Sequence, residues 1–150
     1  MEENEYRNTY KELMVNQCVY MRTILARHSD CSKAKRINLA EREAVQCQSE
    51  AAREICRTTL NHLLEKSKFA LHTADPNAPL PYAKQIKVQS GGLIALKHLL
   101  DGEDAGEIVE DINKLLFRVN LAYPDLEELP IKQFLADIAA FNVRSRKRNK

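Results

Sequence analysis

The first 75 residues contain neither glycine nor proline; all four glycines and all five prolines of the 150-residue chain come later. The residues that end helices and favour tight turns are therefore confined to the second half. Long apolar runs are lacking too: none approaches the roughly 20 residues of a membrane span, which excludes the membrane as a partner. The start, Met1-Glu2-Glu3-Asn4-Glu5, is acidic and has no apolar core of a secretory signal. A cytoplasmic protein is expected, in which four cysteines stay reduced. Neither charge sign dominates. Lys and Arg number 23 against 21 Asp and Glu, a net charge of +2 that by itself implies no partner.

Motifs of known chemistry are also missing. Cys18, Cys31, Cys47 and Cys56 contain no C-x-x-C pair. His28, His62, His72 and His98 show no H-x-x-x-H or H-E-x-x-H spacing. Gly91-Gly92 has no P-loop Lys-Ser/Thr after it, so a phosphate cradle is not indicated. Ser90 has no base near it in sequence. Asp101-Gly102-Glu103-Asp104 lacks the alternating ligands and terminal Glu of an EF-hand. No catalytic residue and no cofactor is expected, and the balance leans away from an enzyme.

What is present reads as helix. Tyr6, Tyr10, Leu13, Met14, Gln17, Met21, Ile24, Leu25 and His28 recur at helical spacing. Asn38-Leu39-Ala40-Glu41 has the form of a capping box, followed by helix formers as far as Leu71. Ile37, Ala44, Ala51, Ile55 and Thr59 would form one buried stripe, with Val45, Ala52 and Leu63 widening it. A helix of that length would run on the order of 50 Å at about 1.5 Å per residue. Such a helix needs partners along it.

The expectation is an all-α fold, an up-down bundle with a long antiparallel helical hairpin (about 5–28 and 38–71) turning over Ser29 to Arg36. A Pro/Gly-containing loop at 76–92 would lead to three short helices over 93–143. Tyr82 to Ser90 reads equally as helix start or short strand. Leu93 to Leu100 reads as a buried helix ended by Gly102. A helix capped by Asp104 and Glu107 and broken at Tyr123-Pro124 follows, then one started by Pro130. Residues 1–143 would form a single domain and 144–150 a disordered basic tail.

Three functional classes compete. The leading one is a non-catalytic interaction or assembly protein that offers helical faces to a protein partner or to a second copy. Tyr20, Leu60 and Leu64, beyond the main stripes, are the candidate self-association residues. The second is a nucleic-acid-binding module. Arg144, Arg146, Lys147, Arg148 and Lys150 would meet phosphates or an acidic partner, helped by Lys33, Lys35 and Arg36. The third is a metal or redox protein using Cys18 and Cys47. These two lie level across the expected hairpin, whereas Cys47 and Cys56 would fall on opposite edges of its second helix. That placement argues against one site holding all four cysteines.

Overall fold

The computed structural model describes residues 15–68, 71, 78 and 80–141. Most of them are helical, but the all-α fold with its long hairpin is overturned. Where the second long helix was expected to begin, the chain forms a two-stranded antiparallel sheet, β1 (Ala34–Leu39) and β2 (Arg42–Cys47). Ala34 stands opposite Cys47 and Leu39 opposite Arg42, leaving Ala40 and Glu41 as a two-residue turn. The other edge of β2 is used as well. Gln17 bridges Gln46, the Cys18 N–H donates to the Val45 carbonyl at 2.8 Å, and the Cys47 N–H donates to the Asn16 carbonyl at 2.7 Å.

Helix propensity differs by only tenths of a kcal/mol among ordinary residues, so Glu41 to Ala44 do not resist this pairing. The strands gain hydrogen bonds on both edges of β2 and bury Val45 completely beside helix α1 (Met21–Leu25). Among the described residues the expected helix over 5–28 is represented by this short segment and by Val15, and its first part lies outside them. The turn itself is strained, because Ala40 has φ +56°. That conformation costs a side-chain-bearing residue about 1–2 kcal/mol, while glycine in the unfolded chain gives back roughly 0.4–1 kcal/mol. Ala40→Gly is therefore expected to stabilise the protein by about 0.5–1 kcal/mol in urea unfolding; a loss of stability would contradict the hairpin.

Helix α2 (Glu50–Ser67) starts at Ser49, not Asn38; the Ser49 hydroxyl accepts from the Ala52 N–H at 3.1 Å. Its buried face is Ala52, Cys56, Thr59, Leu60, Leu63 and Ser67, while Ala51 is exposed. The expected stripe was rotated because its phase was carried through residues 37–44, which are strand and turn.

In the second half, α3 (Tyr82–Ile86), a π-helical turn (Lys87–Gly91) and α4 (Gly92–Asp101) follow one another without a break. The reading of 76–92 as loop thus fails from Tyr82 onward, and Gly91-Gly92 is helical. Gly91 is a packing residue: a Cβ there would sit 3.1 Å from the Ile138 Cα and 3.3 Å from the Phe141 Cβ. Helix α5 (Ile112–Ala122) is capped by Asp111, which accepts from the Lys114 N–H, rather than by Asp104 and Glu107. Residues 103–105 make only a 3-10 turn. Helix α6 (Ile131–Ala140) follows Pro130 as expected. Leu63, Leu93, Leu96, Leu116, Val119 and Ile138 meet in the core between α2, α4, α5 and α6. Among the described residues, no helix is long and apolar enough to cross a membrane.

Candidate metal centre

The replacement of helix by hairpin changes where the cysteines go. Cys47 ends β2, the chain turns at Gln48-Ser49, and α2 returns with Cys56 on its buried face, one turn beyond Ala52. Cys18 lies on the strand-like segment bonded to β2. Cys31 is held from the far side of the molecule. The Asp30 N–H donates to the Val109 carbonyl, the Ile112 N–H to the Asp30 carbonyl, and the Ser32 N–H to the Asp111 carboxylate at 3.1 Å. All four cysteines of the chain, free thiols, line one cavity with about 10 Å³ open to a water-sized sphere, room for a single water or ion. The argument that put Cys47 and Cys56 on opposite edges of one helix therefore falls. Cys18 and Cys47 line the same cavity, as do Cys31 and Cys56.

One of the sulfurs has a backbone donor: the N–H of Lys33 donates to the Cys31 sulfur at 3.4 Å. A thiol is a weak acceptor and a thiolate a strong one, so this amide suits sulfur in its charged form. The Cys47 thiol instead donates to the Ser49 carbonyl at 3.2 Å. Lys33 and Arg53 line the same cavity, and the Arg53 Nε donates to the Gln17 carbonyl at 2.8 Å.

Burial favours the protonated form of Cys18, Cys31 and Cys56. Burial pushes the Cys18 thiol up to about 12, with the Tyr20 amide opposing and Cys31 and Cys47 adding to the rise. Cys56 is raised by burial first and then by the other three cysteines. Cys31 is raised chiefly by burial, with smaller contributions from Asp111 and Cys47. Thiols in this state are poor nucleophiles, which argues against catalysis by a bare cysteine. Among the described residues, no group of three or more His, Cys, Asp or Glu side chains is placed so that it could hold a metal ion. A tetrahedral zinc with Zn–S of about 2.3 Å needs its sulfurs about 3.8 Å from one another. The thiols line the cavity without forming such a set.

The other candidates fare differently. Tyr20 and Leu60 are core residues with 0% and 6% exposure and offer no surface to a second copy; Leu64 is half-buried at the core edge. Lys35 and Arg36 are exposed on β1, and Arg36 donates to the Ile24 carbonyl. Arg144, Arg146, Lys147, Arg148 and Lys150 lie outside the described residues, as does His72. Asp101 of the acidic segment forms a two-pronged ion pair with Arg118 at 2.6 and 3.1 Å.

Ser90 does have a base beside it, which no sequence spacing could show: His28 Nδ1 is 3.0 Å from its hydroxyl. Thr23 links to Ser90 at 2.8 Å and to Ser29 at 3.1 Å, and its N–H donates to the Gln89 side chain. Ser90 is 1% exposed and His28 lies edge-on to Phe141, so this network fastens α1 to the π-helical turn rather than presenting a nucleophile. Comparison with protein-family models, with curated proteins and with solved structures finds no match to this chain.

Proposed function

We propose that the protein carries a metal centre ligated by the thiolates of Cys18, Cys31, Cys47 and Cys56, and that the centre clamps the amino-terminal half together. The observation that carries this reading is the convergence of all four cysteines, from four separate segments, on one cavity of about 10 Å³. The Lys33 backbone amide that donates to the Cys31 sulfur supports it, since it favours thiolate over thiol. Binding of a divalent ion there would displace the thiol protons to solvent, so uptake would be coupled to proton release. Lys33 and Arg53, which line the same cavity, would offset the net negative charge of four thiolates. With four protein ligands such a centre would be structural or carry electrons rather than activate water.

Anaerobically purified protein, reduced and then offered zinc or ferrous iron, tests this. One zinc per chain bound with release of protons, or one iron per chain with the absorption of a four-thiolate iron site, is the expected result. The first outcome assigns a redox-silent clamp and the second an electron carrier. Protein that stays metal-free under both treatments would contradict the proposal.

A further inference from the structure

Helix α5 turns an apolar ridge to solvent. Its inner face is buried through Ile112, Leu115, Leu116 and Val119. Phe117 and Leu121 stand one turn apart on the outer face, 54% and 67% exposed. A single exposed apolar side chain is ordinary, but two large ones stacked on one ridge leave burial unused unless something covers them.

The charges at the two ends of the ridge identify that cover. Lys114 lies one turn before it and Asp125 just after it, both exposed. Neither is in an ion pair among the described residues. The Asp125 carboxylate accepts the Glu127 N–H at 3.0 Å, which leaves its charge unneutralised. Arg118, the other cation of this face, is already held by Asp101. Lys114 is five residues before the midpoint of Phe117 and Leu121, and Asp125 six after it. A second α5 crossing antiparallel at that midpoint therefore sets Lys114 of each copy near Asp125 of the other, with the phenyl and leucyl groups packed between. A parallel crossing would set Lys114 against Lys114.

We propose that the outer face of α5 is a self-association surface. A second copy of this chain docks on it antiparallel through Phe117 and Leu121, with Lys114 of each copy paired to Asp125 of the other. Two large side chains per copy make a small interface, so the dimer is weak and comes apart on dilution. The proposal holds whether or not the cysteines take up a metal.

Sedimentation equilibrium of the full chain tests this, with reductant and chelator present so that neither disulfide nor metal links the copies. The average mass of the wild type is expected to rise from one chain towards two as protein approaches about 1 mM, the weak end of measurable affinity. Leu121→Glu, at an exposed position where substitution costs the fold little, is expected to weaken association by about 10-fold or more. Lys114→Gln and Asp125→Asn, the latter keeping the capping oxygen, are each expected to weaken it about 3-fold, as loss of exposed ion pairs does. Combined, they are expected to cost no more than either alone, because each breaks the same pair. Wild type that stays a single chain at every concentration, or association unchanged by Leu121→Glu, overturns the proposal. Fully additive losses from Lys114→Gln and Asp125→Asn overturn the antiparallel pairing.

Discussion

Cys56→Ala is expected to remove the stabilisation that metal gives this protein. With free metal at about 1,000 times its dissociation constant, ligand linkage stabilises the folded wild type by about 4 kcal/mol. The variant retains three sulfurs and an incomplete shell, so its unfolding should scarcely respond to metal or to chelator. Cys56 is the right ligand to remove because it is anchored on α2, the longest described helix, while Cys18, Cys31 and Cys47 sit on a loop, a loop and a strand end. It is also 7% exposed, so truncation itself costs something, on the order of 1 kcal/mol for the small cavity left. The metal-free proteins should therefore differ slightly and the metal-loaded ones greatly. Urea unfolding of both proteins, with zinc and with chelator, measures this. An equal response to metal in both would take Cys56 out of the centre.

Leu96→Ala is expected to act differently, lowering the stability of metal-free and metal-loaded protein alike. Leu96 has 0% exposure on α4, the helix in contact with α5 and α6. Removing a fully buried leucine costs the transfer of its methyl groups and the cavity left behind, about 2–5 kcal/mol. Repacking has little room, because Leu93 on the same helix and Leu63, Leu116 and Val119 facing it are also fully buried. Leu99→Ala, one turn away and only half-buried, serves as the control and should cost about 1 kcal/mol. If Leu96→Ala and Leu99→Ala unfold at the same urea concentration, the described core is wrong at its centre.

These two substitutions divide the molecule as the sequence itself divides. The carboxy-terminal half was largely legible. Apolar residues at helical spacing with Pro130 at the start located α6, and Leu93 to Leu100 located α4. Errors there came from punctuation. Gly91-Gly92 reads as a break, yet Gly91 is helical because α6 packs too closely for a Cβ, a tertiary demand invisible in one chain. The helix expected around Asp104 starts instead at Asp111, since Gly106 adopts φ +89° and Val109 bridges Ser29.

The amino-terminal half misled for a physical reason. Residues 38–47 combine helix formers with Ile37 and Val45 nearby, and no glycine marks the turn; Ala40 takes positive φ at a cost instead. The competing gain, pairing of β2 with both β1 and the segment at Asn16 to Cys18, is long-range and leaves no local trace. One wrong element then displaced the site. On a continuous helix Cys47 and Cys56 diverge, whereas on a strand and the helix that follows they converge. A cysteine count of four with no C-x-x-C was the available signal, and only the fold could interpret it.

The central claim is that four sulfurs meet on one ion. X-ray absorption at the metal edge of zinc- or iron-loaded protein measures the ligand shell directly. The account predicts a shell of four sulfurs, at about 2.3 Å on zinc, with no nitrogen or oxygen. A shell containing imidazole nitrogen or carboxylate oxygen, or fewer than four sulfurs on zinc, would contradict it.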